Sequence, residues 1–367
     1  MGVGVNHMEK TQLDLAYLRL TDCAPFVVAK ELGFFAQYGL DVKLHQEVSW
    51  ASVRDKLVSG KLDGAQMLAP LPAMTTLGVS GVRAPLLTGL VLSRNGNAIT
   101  LSAGLWHEMT NRSAGLVAGV DAAIALKKSI VERKDSKLTF AVVHAFSGHM
   151  LLLRRWLRLG GIDPDVDIRI IVVPPSQVVD SLAMGIIDGY CVGEPWNTSA
   201  VQQGIGVIAA VGSQVTPNSA EKVLCVSEQW HQQNPTSHLR LRLALMQAGQ
   251  WLARRANVEQ CAELLSMERY LNLTVDALLP SLSGQVQLVP LEPPVTIEDF
   301  QLFDSHRAGC PDQAATTLLV VSCAELLGKR LTDDVVDSII KTSVRPDLFL
   351  EAQALFSGDV MNIASTP

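Results

Sequence analysis

The chain lacks a surplus of basic residues. Lys and Arg number 30 against 36 Asp and Glu, a net charge of −6, which argues against a general nucleic-acid surface. An anionic ligand would need a local cationic site that opposes this global charge. No apolar run approaches the ~20 residues that span a bilayer. The six cysteines (Cys23, Cys191, Cys225, Cys261, Cys310 and Cys323) form no CxxC pair and no zinc-type Cys/His spacing. Scattered in apolar contexts, they read as reduced core residues of a reducing compartment, although an even number leaves bridges open. G-x-S-x-G, H-E-x-x-H, the P-loop and G-x-G-x-x-G are all missing. Ser147 and His149 are near neighbours, but such residues on a helix point in different directions. Asp163-Pro164-Asp165-Val166-Asp167 lacks the Gly and the distal Glu of an EF-hand and reads as a helix-to-strand loop. The polar N-terminus, Met1 to Lys10, has no basic n-region, no apolar h-region and no lipobox-type Cys, so the expected location is the cytoplasm.

What is present is a long-range repeat. Leu57, Gly60, Asp63, Gly64 and Pro70 recur, at one constant interval, as Leu182, Gly185, Asp188, Gly189 and Pro195. A helix ending in Gly, an Asp-Gly turn into a short buried strand and a Pro-marked loop make one αβ unit used twice. So long an interval suggests two similar lobes rather than a solenoid, and 367 residues suffice for two domains. Two lobes imply a cleft, where small ligands bind. Strands are predicted at about 13–20, 40–47, 65–68, 84–92, 138–143, 167–173, 189–192 and 220–227, alternating with helices at about 24–37, 51–59, 70–78, 147–159 and 176–184. The pattern predicts an α/β fold with mainly parallel sheets and ligands at the carboxyl ends of the strands. The domains expected are 12–95 as the first part of lobe 1, 96–215 as lobe 2, and 216–367 as a return to lobe 1 with a helical C-terminal region.

The candidate ligand residues stand on loops just after strands or at helix starts. They are Trp50, Asn97 in Asn95-Gly96-Asn97, His149, Glu194-Pro195-Trp196, and Lys222 before the late strand. Each alone has an ordinary structural reading, such as a turn, a packed indole or a solvated Lys.

Several strings together resemble one family: Leu20-Thr21-Asp22-Cys23-Ala24-Pro25, Lys30 to Phe35, Tyr38 to Val42, Ser49-Trp50-Ala51-Ser52 through Leu57, and Cys191-Val192-Gly193-Glu194-Pro195-Trp196. They look like the nitrate/bicarbonate-binding proteins of ABC importers, the NrtA/CmpA type. The resemblance covers most of residues 13–230 and implies a two-lobed type II periplasmic-binding-protein fold. It implies a ligand site of Trp50, Asn97 (where the family usually has Gln), His149 and Lys222, with Ala51, Glu194 and Pro195 beside them. Nitrate only accepts hydrogen bonds, so a matching site is expected to offer donors only. Bicarbonate carries a proton and needs an acceptor, and bicarbonate-type members are expected to have a carboxylate where Lys222 stands. Lys222 and His149 therefore favour nitrate or nitrite.

Joined to the cytoplasmic expectation, the resemblance points to the NasS-type nitrate/nitrite sensors. These hold an ANTAR-domain antiterminator of the NasT type when ligand-free and release it when the anion binds. The expected protein is thus not an enzyme, needs no metal or cofactor, and contacts neither nucleic acid nor membrane directly. The alternative is the extracytoplasmic nitrate-binding component of an importer. Thiamine-pyrimidine synthases share the fold, but their Cys-rich iron-binding motif is missing.

Overall fold

The computed structural model describes residues 8–356, apart from Ser80, Ala114, Lys134 and Asp135. The N-terminal residues 1–7, part of the segment read above for a leader, and residues 357–367 at the end of the C-terminal segment lie outside the described residues.

Each lobe is built on one mixed sheet. The strands are β1 (Gln12–Leu18), β2 (Asp41–Glu47), β3 (Gly64–Leu68), β4 (Leu86–Asn95), β5 (Asn97–Ser102), β6 (Thr139–Val142), β7 (Arg169–Val172), β8 (Gly189–Gly193), β9 (Gly206–Val211), β10 (Ala220–Ser227), the ribbon β11 (Gln285–Val286) with β12 (Val295–Thr296), and β13 (Gln301–Leu302). The first sheet runs β13-β4-β10-β3-β1-β2 and the second β7-β6-β8-β5-β9. In the first, β2 and β3 pair in parallel with β1, and in the second β7 and β8 pair in parallel with β6. The mainly parallel sheets predicted from the sequence need correcting in both lobes: besides the edge strand β13, antiparallel to β4, one interior strand of each sheet runs against its neighbours. β10 is antiparallel to β3 and β4, and β5 is antiparallel to β8 and β9. Both enter their sheet straight from the other lobe, without the helical crossover that a parallel neighbour requires.

The repeated motif performs one task twice. Asp63 accepts the backbone N–H of Asp14 at 2.8 Å and its own N–H bonds the Asp14 carbonyl at 2.9 Å. Asp188 accepts the N–H of Thr139 at 2.7 Å and donates to the Thr139 carbonyl at 2.8 Å. Each Asp thus ties the strand that follows it to the start of its parallel neighbour, β3 to β1 and β8 to β6. Gly60 and Gly185, at φ 73° and 68°, stop the preceding helices in the left-handed region. The single helix predicted over 24–37 is two, Ala24–Glu31 and Phe34–Gln37, because Gly33 between them sits at φ 74°.

The lobes join where β4 passes into β5. Asn95 and Gly96 there have φ of 58° and 82°, so the turn signal of the sequence is a hinge. The backbone of Asp299–Gln301 straps it: Asn95 Nδ2 donates to the Asp299 carbonyl at 2.8 Å, and Gly96 N–H to Phe300 at 2.6 Å. The apolar core is continuous across the cleft, with Trp50, Met67 and Leu68 packed in one cluster with Val143, Phe146 and Trp196. Fully burying a large apolar side chain is worth about 1.5–3 kcal/mol, so this cluster favours closed lobes.

In the C-terminal part, the helix Pro235–Leu252 packs on Ala24–Glu31, and Asp333–Ser343 packs on Leu71–Leu77. The helix Gln313–Glu325 touches both Asp333–Ser343 and the lobe-2 helix Gly148–Leu159. All six cysteines are free. Among the described residues no helix is long and apolar enough to cross a membrane.

Candidate functional site

Buried polar side chains from both lobes converge on the cleft. Trp50 opens the helix Trp50–Val58, whose cap Ser49 accepts the Ser52 N–H at 3.2 Å. His149 lies in the first turn of Gly148–Leu159, capped in the same way by Ser147 through the Met150 N–H at 3.1 Å. Both helices therefore direct their positive ends toward the cleft. Asn97 begins β5, opposite Gly193 in β8. Lys222 and Glu221 come from β10.

In a regular strand, successive side chains point to opposite faces. Here the register slips between Ala220 and Lys222, opposite Arg94 and Ser93. This irregularity at Glu221 frees both neighbours to reach the cleft, as bulges often do beside binding sites.

Lys222 Nζ donates to Asp22 Oδ2 at 2.7 Å and to Glu221 Oε1 at 2.6 Å, and sits 5.3 Å above the Trp50 ring. Asn97 Nδ2 donates to Glu221 Oε2 at 2.7 Å, and Gln66 Nε2 to Asp22 Oδ1 at 2.6 Å. His149 Nε2 lies 2.8 Å from Glu221 Oε1 but poorly aligned, so neither ring nitrogen makes a directed hydrogen bond. Trp50 Nε1, Asn97 Oδ1 and Glu194 Oε1 are likewise buried without a partner. A buried polar group left unpaired costs about 1–3 kcal/mol, so these atoms mark where a polar ligand is gained most. Gly193 carries no side chain here, and a Cβ on it would stand 3.4 Å from Asn97 Oδ1 and 3.5 Å from Asp22 Oδ2.

The electrostatics follow from burial. It pushes the Asp22 carboxyl up, against the Lys222 ammonium that pulls it down. It acts the same way on Glu221, but Lys222 and His149 outweigh it and hold that carboxyl below its ordinary range. Burial opposes the Lys222 charge, and the two carboxylates more than offset it, raising its pKa. Glu194, with no cation in contact, is pushed by burial to about 7 despite hydrogen bonds from Thr198 and Asn197.

Trp50, Asn97, His149 and Lys222 thus share one cluster. Glu194 and Pro195 lie at the seam between the lobes, where the Glu194 carbonyl accepts the Thr21 N–H at 2.8 Å. Ala51 is half-buried beside Trp50. The donors-only expectation needs correcting: Lys222 brings two buried carboxylates with it. Asp22, Gln66 and Glu221 were missed. Asp22 lies inside a motif string already noted, and Glu221 was hidden because strand alternation would turn it away from Lys222.

Fold and site together define a two-lobed α/β binding protein of the periplasmic-binding-protein type. The model of the NMT1-like family matches residues 6–266, and the chain belongs to that family. It is close to the nitrate- and bicarbonate-binding proteins of the NrtA/CmpA type. It is 37% identical over 352 residues to the nitrate import ATP-binding protein NrtC of Synechocystis sp., covering 95% of this chain and 51% of that one. It is 41% identical over 267 residues to the bicarbonate transport ATP-binding protein CmpC of Synechococcus elongatus, covering 72% and 39%. The chain therefore spans about half the length of NrtC, and less of CmpC. The crystal structure of the periplasmic nitrate-binding protein NrtA from Synechocystis superposes with a TM-score of 0.87 at 29% identity, covering 99% of this chain and 93% of that one.

Proposed function

We propose that this chain binds nitrate or nitrite between its lobes and acts as a cytoplasmic sensor of the anion. The observation that carries the ligand is Lys222: a fully buried ammonium over the Trp50 ring, with the Trp50 and His149 N–H groups unspent beside it. A planar acceptor-only anion matches these donors and the capped starts of the two helices, each charge-assisted bond contributing about 1.5–3 kcal/mol. Asp22 and Glu221 lie behind Lys222 and hold it in place.

Three things support the sensing role. The cysteines are all free. Identity is 37% and 41% to stretches of ATP-binding chains, against 34% to the nitrate/nitrite binding protein NrtA and 31% to the bicarbonate-binding protein CmpA, and a unit fused to an ATP-binding chain shares the compartment of its nucleotide. The sequence also resembles the NasS type. In this reading the ligand-free chain sequesters an ANTAR-type RNA-binding antiterminator of nitrate assimilation genes, and the anion releases it. Anion and partner then weaken each other's binding by one common factor.

A second reading has its own observation. The Glu194 and Glu221 carboxylates supply the acceptor that bicarbonate requires and nitrate does not. Isothermal titration of the full chain with nitrate, nitrite and bicarbonate separates the two. Saturable binding of nitrate or nitrite alone is expected; bicarbonate binding alone would transfer the site to that ligand. Capture of a purified ANTAR protein, with and without nitrate, tests the sensor. Capture that nitrate does not diminish, or no capture at all, would leave the importer component as the better role.

Gly148→Ala probes the geometry more finely. Its Cβ would stand 2.8 Å from Glu221 Oε2, so that carboxylate, held by Asn97 and Lys222, would have to shift. Alanine is also the better helix former. Nitrate affinity should fall about tenfold or more, roughly 1.4 kcal/mol, with the urea midpoint little changed. Undiminished affinity would mean that the Glu221 position does not matter to the ligand.

A further inference from the structure

We propose that the chain carries a second ligand site beside the anion cleft, one that takes an amphipathic organic carboxylate. The site is a cavity of about 750 Å³ roofed by the helix Gln313–Glu325. That volume suits an organic molecule rather than a four-atom anion. Its apolar wall is built from three parts of the fold: Leu151 and Leu152 of lobe 2, Val91 and Val223 of β4 and β10, and Leu319 and Leu326 of the C-terminal helix and its cap. Its floor is the far side of the cleft, at Asn97, Gly148 and Glu221.

Four arginines and three acids stand on the rest of the wall. Arg154 is 6% exposed; it pairs with Asp165 through its terminal nitrogens and leaves Nε buried without a partner. Arg155 and Arg158 follow at the exposed edge, without an ion pair among the described residues. Arg94 has its guanidinium nitrogens on the carbonyls of Ala308 and Asn218 and no carboxylate in contact among those residues. Of the acids on the same wall, Asp165 is taken by Arg154 and Glu221 by Lys222, while Asp312, which caps the Ala315 N–H, acts electrostatically on Arg94. Glu325 alone remains to offset the guanidinium groups of Arg155 and Arg158. Planar forks at the edge of an apolar chamber suit a carboxylate with a hydrocarbon body. Such an occupant would touch both lobes and the C-terminal helix at once, and would bind the closed arrangement selectively.

Isothermal titration of the full chain with decanoate tests this, with decyltrimethylammonium as the cationic control and no nitrate present. One saturable decanoate site per chain is expected, with no matching site for the cation. Arg155→Glu/Arg158→Glu should weaken decanoate about tenfold or more. Leu319→Trp, which fills the chamber, should weaken it similarly, with the fold checked by circular dichroism. No saturable decanoate binding, equal binding of the two head groups, or binding that neither variant alters would overturn the proposal. A nitrate titration of the same sample reports on the cleft separately, so failure at one site is not read as failure at the other.

Discussion

Lys222→Ala is expected to abolish measurable nitrate binding and, at the same time, to cost the fold about 3–5 kcal/mol, the usual penalty for removing one partner from a buried ion cluster. Both effects have one source. The ammonium is fully buried and satisfies two carboxylates within 2.7 Å, so its removal strands two negative charges in the core as well as deleting the anion's main donor. The pairing with Asp22 and Glu221 adds the stability loss to the loss of binding.

The pH dependence distinguishes the mechanism. Glu221 is held below its ordinary range in the native protein. Its stabilising contribution is therefore present above that range and lost as pH falls through the depressed native value. Without Lys222, burial dominates and both carboxyls favour their protonated form. The deficit of the variant should then shrink as pH is lowered from neutrality toward the ordinary carboxylate range. The companion Asp22→Asn/Glu221→Gln/Lys222→Met, neutral and similar in volume, should recover stability while still failing to bind nitrate. Urea denaturation and titration of both variants check this. A deficit independent of pH, or nitrate binding by the triple variant, would remove Lys222 from the role given to it.

Glu194→Gln is expected to stabilise the protein above neutral pH. Burial raises the Glu194 carboxyl from 4.5 to about 7, and its Oε1 has no partner. Between those values the folded chain binds more protons than the unfolded one. Stability from this group is thus fully present below the unfolded value and lost as pH rises through the folded one. The whole loss is on the order of 3 kcal/mol. Glutamine has no proton to lose and keeps an oxygen for the Thr198 N–H that Glu194 accepts at 3.1 Å. The variant should match the parent near pH 4.5 and exceed it by about that amount near pH 8. Asp22 and Glu221 remain in both proteins, so the difference isolates Glu194. Parallel stability–pH profiles would show that the carboxyl finds a partner or solvent on the timescale of unfolding.

The lobes were legible because the sequence repeats a mechanical requirement. A Gly ends a helix and an Asp ties one strand to the start of its parallel neighbour, and the side-chain chemistry of that joint has few substitutes. Trp50, His149 and Lys222 were legible through motif strings and through the chemistry of an anion. The antiparallel strand in each lobe was not, since the direction in which β5 and β10 enter their sheets depends on chain crossing rather than local pattern. Glu221 was hidden for a similar reason: alternation rules place it opposite Lys222, and only the slipped register against β4 brings the two together. The pairing of Asp22 with Lys222 joins segments distant in the chain and left no local trace.

The hinge at Asn95-Gly96 has a mechanical meaning. Asn97, which holds Glu221 at 2.7 Å, is the first residue beyond it, so the polar cluster lies close to the axis about which the lobes would turn. It works on the short arm of a lever. Displacements of tenths of an ångström around Glu221 are multiplied toward the outer edges of the lobes. The arrangement trades force at the fulcrum for travel at the rim.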